Sequence, residues 1–241
     1  KAKAATLWSS QGLALLGTAI SQFTLIWWLT ERTGSAIWLA VAGIGLLVPD
    51  VFILPFAGPI IDRYSRKQVL ITANAVIAAI SLGATLLFIL GIVHPIIMIS
   101  VLFIRTLASS FRWPALQALA TDVVPKSQLT RINAIDYILR GSTNILGPTI
   151  AAYLIRALPL SASLTIDFMT ALFSIYLLSS VSIREKVQRA KSAGSIAENI
   201  RYSARSLRKG IGYVLTAPGL LFFLGYVSVT NLLLVPIENL M

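Results

Sequence analysis

Six ionisable side chains fall inside apolar runs long enough to cross a bilayer: Asp50, Arg105, Arg112, Asp136, Arg140 and Asp167. A charge at the centre of a hydrocarbon core is costly, so such groups pair with one another or handle ions and cargo. Three of each sign suits two readings. One is a relay for protons and substrate; the other is a structural ion network locking the second, fourth and fifth spans together. Asp136 and Arg140 stand four residues apart on one helical face and can pair within a single helix, which favours the structural role for them. Depth follows from a rise of about 1.5 Å per residue, counted from each inner helix end. Arg112, Asp136, Arg140 and Asp50 then fall in the inner half of the membrane, and Arg105 and Asp167 nearer the outer half.

These charges need a scaffold, and composition names it. The chain is 56% hydrophobic and only 12% charged, with mean hydropathy +0.82; a water-soluble domain carries roughly 25% charged residues. The apolar residues fall in segments of about 20, the length of a membrane-crossing helix. The expected fold is an all-α polytopic membrane protein. A six-span bundle occupies 1–181, a basic inner linker 182–218, and a seventh span 219–241, the start of a second, truncated bundle. In the linker, Ser195 and Glu198 read as a capping box. Apolar residues then recur at steps of three or four over 196–214, as in an amphipathic helix lying on a membrane surface.

The net charge of +11 is placed for lipid rather than nucleic acid. Fifteen of the 20 Lys and Arg fall in segments on the face of Lys1 and Lys3, which the positive-inside rule makes cytoplasmic. Cysteine is absent, which excludes disulfides and thiolate metal sites. The single His94, beside Pro95, reads as a loop residue. The first apolar run is too long for a cleavable signal peptide. Trp8, Trp27 and Trp28 are read as interface anchors.

One polar stretch between the second and third spans stands out: Gly58-Pro59-Ile60-Ile61-Asp62-Arg63-Tyr64-Ser65-Arg66-Lys67-Gln68-Val69-Leu70. Gly58 permits close helix approach, Asp62 is placed to cap the next helix, and three cations in five residues mark an inner loop. The pattern Gly-x-x-x-Asp-Arg-x-x-Arg-Lys-x-x-Leu resembles the signature loop of the major facilitator superfamily, which usually has Gly where this chain has Ser65. The resemblance implies twelve spans in two halves, each built from inverted three-helix repeats, and an inner gate. Asp122, at the inner end of span four, would join Asp62 and Arg66 in a charge latch, with Arg63 and Lys67 beside it.

Three further likenesses refine this. A mid-membrane arginine in span four, Arg105, resembles the family's second motif, associated with proton coupling; Leu107-Ala108-Ser109-Ser110 replaces the glycines that usually follow. Gly141-x-x-x-x-x-Gly147-Pro148 is similar to the glycine–proline motif of the family's antiporters. The run from Gln22 to Ala36 resembles the opening of the macrolide-efflux branch. By the same resemblance Gln11, Gln22 and Thr24 in span one, with Arg112, Trp113 and Gln117 in span four, would line a cavity for bulky amphiphiles.

The implied function is secondary active export of drug-like or other amphiphilic molecules by proton antiport, in a bacterial inner membrane. No phosphate-binding Gly-x-x-x-x-Gly-Lys-Ser/Thr is present, so ATP is not expected to drive it; no enzymatic step, cofactor or nucleic acid is expected. Protons, membrane lipids and a C-terminal half in the same polypeptide are the implied partners. A transport-incompetent truncated bundle is the alternative. A seven-helix receptor fits less well, given a cytoplasmic N-terminus and no Lys in the seventh span. The threading has a direct test: Tyr64→Cys in intact cells is expected to react with a membrane-impermeant maleimide only after the cytoplasmic face is opened, and labelling from outside would overturn the topology.

Overall fold

The structure, a computed structural model, describes residues 2–181, 212–213 and 215–238. The chain divides into two compact units, Lys1–Lys191 and Ser192–Met241. The first is a bundle of α1 (Ala2–Thr33), α2 (Ala36–Arg63), α3 (Arg66–Ile89), α4 (Pro95–Ser109), α5 (Arg112–Val123), α6 (Leu129–Ala157) and α7 (Leu160–Ser180). In the second, α8 (Pro218–Glu238) starts where Leu220 and Leu221 donate to the Ala217 carbonyl. The amphipathic helix expected over 195–214 lies, but for 212 and 213, outside the described residues.

Among the described residues, five helical stretches are long and apolar enough to cross a membrane: Thr6–Thr33, Ala36–Ile53, Arg66–Ile89, Pro95–Val123 and Leu160–Ser180. The fourth is one span made of α4 and α5. Pro114 has no N–H to offer the Ser110 carbonyl and its ring crowds that oxygen, so the helix breaks at Ser110–Phe111. The break is shallow, since both residues keep right-handed helical angles and the Ser110 N–H still donates to Thr106 at 2.9 Å. The 29-residue α6 is long enough to cross but carries Asp136 and Arg140 mid-helix, which dilutes its apolar character.

The turns show why the helices stop where they do. Gly34 and Gly91 have φ of +56° and +71°, a left-handed conformation that side-chain-bearing residues resist. Gly34 N–H returns to Thr30, while Gly91 N–H and Ile92 N–H return to Phe88 and Leu87, the latter pair a Schellman closure. His94 is the N-cap of α4, its Nδ1 accepting from Ile96 N–H at 3.3 Å. At the opposite face, α2 continues through Pro49, Pro55 and Pro59 to Arg63. Asp62 therefore belongs to the last turn of α2 and does not cap α3. Ser65 takes that place, its hydroxyl accepting from Gln68 N–H at 3.3 Å, with φ −60° that any residue adopts.

α1 is the central post, packing extensively on α7 and α6; α3 packs on α7, and α2 on α4. The core is layered. One apolar layer, at the Ser65 face, contains Leu7, Leu70, Leu116, Leu119 and Leu178. The other contains Leu25, Leu29, Ala84, Met98, Leu102 and Leu164. Between them the same helices bury polar side chains: Ser21 on α1, Asn74 and Ser81 on α3, Arg105 on α4, Asp167 and Ser174 on α7. Trp8 and Trp28 belong to the apolar layers, so only Trp27 keeps the surface setting expected of all three. Trp28 sits edge-on to Phe88 at 5.6 Å, a favourable aromatic geometry.

Small residues set the closest approaches, though not all those expected. A Cβ on Gly147 would stand 2.5 Å from Ala19 Cβ and 3.3 Å from the Ala19 backbone, so α6 packs against α1 there. A Cβ on Gly17 would strike Thr170 and lie 3.2 Å from Asp167 Cα. Gly58 and Gly141, by contrast, have nothing within 4 Å of such an atom, and neither makes the close helix contact expected of it. Overpacking a filled contact costs about 1–3 kcal/mol. Gly147→Ala is thus expected to lower unfolding stability in detergent by that amount while Gly141→Ala leaves it unchanged; equal effects would refute the α1–α6 contact.

Candidate functional site

The polar layer centres on an ion pair. Arg105 Nη2 lies 2.7 Å from Asp167 Oδ2, with both side chains almost wholly buried. Four helices converge on it. Ser81 of α3 donates to Asp167 Oδ2 at 2.5 Å, and Arg105 Nη2 also donates to Ser21 of α1. Thr18 Oγ1, two residues before Ile20 on α1, directs its proton to Ala14 O at 2.8 Å and lies 3.4 Å from Asp167 Oδ1. Two turns toward the Ser65 face, Asn74 Nδ2 donates to Ser174 Oγ at 3.2 Å. The ion pair between spans joins α4 to α7, with α1 and α3 supplying hydroxyls, while the second, fourth and fifth spans are tied by the Asp50–Ser110 and Asp136–Gln117 contacts.

Arg112, first residue of α5, is also buried and donates from Nη1 to Thr18 Oγ1 at 3.2 Å. Beside it a second cluster spans α5 and α6. Arg140 Nε binds Asp136 Oδ2 at 2.9 Å, the pairing expected from their four-residue spacing, and Gln117 Nε2 approaches the same oxygen at 3.5 Å. The Arg140 guanidinium lies 5.8 Å from the Trp113 ring centre, within cation–π range. Arg140 and Trp113 are partly open where Asp136 is closed. Asp50, exposed on α2, accepts from Ser110 Oγ at 2.5 Å, at the α4–α5 break.

At the α2–α3 turn, Arg66 Nη1 bonds both Asp122 Oδ2 at 2.5 Å and the Ala118 carbonyl at 3.1 Å. Half of the expected latch is thereby formed; the side chains of Asp62 and Arg63 lie outside the described set. Lys67 does something different from its expected part in that latch. Its Nζ donates to the Ser179 and Val181 carbonyls at 3.1 and 2.8 Å, capping the C-terminal end of α7, where carbonyls lack partners and a cation is favoured.

Of the residues expected on a cavity wall, Gln22 and Gln117 are half-buried and Trp113 is exposed. Gln11 is buried, and Thr24 is fully buried with its hydroxyl spent on the Ile20 carbonyl. A groove of about 780 Å³ opens instead between α2, α3 and α4, lined by Tyr64, Gln68, Thr72, Val76, Ile104 and Phe111 among others. Sequence reasoning missed Ser21, Ser81, Thr18 and Asn74 because serine and threonine satisfy themselves within helices, leaving no periodic signal. Asp167 as the partner of Arg105 was legible only through their shared depth.

The Major Facilitator Superfamily description matches residues 7–238. Macrolide efflux protein A of Streptococcus pyogenes is 31% identical over 235 residues, covering 96% of this chain and 58% of that protein. The Enterococcus faecalis protein of the same name is 30% identical over 202 residues, 83% of this chain and 62% of that one. A Na(+), Li(+), K(+)/H(+) antiporter of Planococcus maritimus is 27% identical over 145 residues, 57% of this chain and 33% of the antiporter. The chain thus spans roughly three-fifths of the length of the macrolide efflux relatives. With a helical bundle wound around a buried charge pair and a basic turn braced by Asp122, this chain belongs to the Major Facilitator Superfamily.

Proposed function

We propose that this chain supplies the N-terminal half of a proton-driven exporter of amphiphilic small molecules, resident in a bacterial cytoplasmic membrane with its N-terminus inside. The observation that carries the proposal is the buried Arg105–Asp167 pair, held by α1, α3, α4 and α7 in the middle of the bundle. A carboxylate there is worth its desolvation only while the guanidinium stays beside it. Protonating Asp167 removes that attraction, frees Arg105 and loosens α4 from α7. A proton taken up on one side thus acts on the helix that carries the α4–α5 break and, beyond it, Arg112, Trp113 and Gln117.

The turn completes the cycle. Arg66 is partly exposed over a nearly closed Asp122, and ion pairs open to water contribute about a kcal/mol or less, so the two close an inner gate that substrate and proton reopen. Asp62 joins them when the gate is shut. The names of the relatives, two macrolide efflux proteins and a cation/proton antiporter, support export and antiport. Energy comes from the proton gradient, with no cofactor, and a C-terminal half of the same polypeptide completes the cavity.

The test uses the full-length transporter in cells loaded with a fluorescent amphiphile. Arg105→Ala and Asp167→Asn are each expected to cut gradient-dependent efflux about 5- to 150-fold, the usual range of coupling between sites, while surface expression persists. Efflux that collapses with an uncoupler in both variants as in the wild type would remove the pair from coupling. Asp62→Asn and Asp122→Asn are expected to stop efflux without preventing insertion; retained efflux would sink the latch.

A further inference from the structure

Of the two buried arginines among the described residues, Arg105 has a carboxylate partner and Arg112 has none. Among the described residues, Asp167 is committed to Arg105 and Asp136 to Arg140, and Arg112 has no carboxylate within 4.0 Å. Arg112 is 4% exposed, and its sole hydrogen bond is the one from Nη1 to Thr18. Its Nε and Nη2 are buried without an acceptor. The surroundings are short of acceptors too: Arg105 Nη1 and Gln11 Nε2 are likewise buried and unpartnered, and Gln11 lies two helical turns from Thr18 on the same face of α1. Arg112 is within electrostatic reach of Asp167, Arg140 and Arg105, so with Asp136 on Arg140 two carboxylates face three guanidiniums there.

A guanidinium left with two free donors in a desolvated site is expensive. A planar fork of this kind is matched by a carboxylate or phosphate, which accepts two bonds at once. Among the described residues the buried side-chain oxygens without a hydrogen-bond partner are Asn74 Oδ1, Asp136 Oδ1 and Ser163 Oγ, and the one carboxylate among them is already bound to Arg140. The position suits a ligand. Arg112 opens α5 just past the break at Ser110–Phe111, and the next residue, Trp113, is 43% exposed.

The geometry points to Arg112 as the receptor for an anionic headgroup on the transported amphiphile, with the Trp113 ring beside the apolar part. This assigns a cargo class, amphiphiles bearing a carboxylate or a similar oxyanion, and it rests on the exporter reading above. Asp167 then has a second role. While ionised it offsets part of the positive charge around Arg112, and because it is held by Arg105 it leaves the Arg112 fork to the cargo.

The experiment compares three amphiphiles of equal alkyl chain, dodecanoate, dodecanol and dodecyltrimethylammonium, binding to the full-length protein in phosphatidylcholine nanodiscs, read by tryptophan fluorescence. Dodecanoate is expected to bind about tenfold more tightly than the cation, a difference of 1.4 kcal/mol. Arg112→Gln is expected to reduce that ratio to near one. Should that variant not fold, Arg112→Lys decides: it keeps the charge without the fork, so a smaller surviving preference supports the site and an unchanged one overturns it. No headgroup preference in the wild type, or one that survives Arg112→Gln, also overturns it. Proton-driven efflux of dodecanol or the cation without such a preference would remove the anion site and leave the exporter standing. Anion binding that depends on Arg112, with no efflux of any of the three, would do the reverse.

Discussion

A guanidinium and a carboxylate 2.7 Å apart, closed off from water on every side, govern how this bundle is put together. Neither ion tolerates the other's absence: removing one partner of such a pair leaves an uncompensated charge at a cost of about 3–5 kcal/mol. The rest of the arrangement follows. Ser21 and Ser81 are small enough to let α1 and α3 come close while supplying hydroxyls to the pair. Gly17 removes the side chain that would otherwise hold α1 off Thr170 and the Asp167 backbone. The two apolar layers, at Leu116 and Leu119 on one side and Met98 and Leu102 on the other, seal the polar layer above and below. Hydrophobic packing alone would permit many rotations of these helices. The polar layer admits few, because each donor must meet its acceptor.

The charges at the Ser65 face obey a different rule. Arg66 and Lys67 are partly exposed, so water competes for both, while the Asp122 side chain is nearly closed off. Their value lies in where they attach. Arg66 ties the start of α3 to the end of α5 through a carboxylate and a backbone carbonyl together. Lys67 ties that same start to the carbonyls ending α7. Adjacent residues on one turn thus hold two neighbouring helix ends with bonds weak enough to exchange. Strong coupling in the dry layer and weak coupling at the wet end suit a device that must keep its fold while changing its opening.

Much of the fold was legible because the physics behind it is one-dimensional: apolar run length and the sign of loop charge. The Asp136–Arg140 pair and the Asp122 contact were legible for the same reason, since a four-residue step or a shared helix end fixes distance without knowledge of packing. What escaped was lateral. Sequence places Arg105 and Asp167 at one depth, but which of several helices turns toward which depends on side-chain volumes summed across the bundle. Gly58 and Gly147 show the difference. Both precede proline in similar short motifs, yet Gly147 meets Ala19 while Gly58 meets nothing within 4 Å. Trp8 and Trp28 erred the other way, since residues that favour interfaces also fill cores when a neighbour such as Phe88 receives them. Asp62 was displaced from its expected cap because α2 runs on to Arg63, leaving the capping geometry to Ser65.

The α4–α5 break links these two regimes. Arg105, above it, is fixed by Asp167; Arg112, below it, is fixed by Thr18 alone. Seven residues separate the two arginines, two helical turns, so on an unbroken helix they would share one face and compete for one carboxylate. Pro114 weakens the backbone at Ser110, and Asp50 takes the Ser110 hydroxyl from across the α2 boundary. The upper half of the span is held by the buried Arg105 pair, and the lower half by single contacts from Arg112 to Thr18, from Gln117 to Asp136 and from Arg66 to Asp122 and Ala118. Any displacement of α4 runs along a continuous helix and then meets the place in that span where Pro114 leaves a backbone bond unmade. Bending is expected to concentrate there, because that is where the backbone ladder is interrupted.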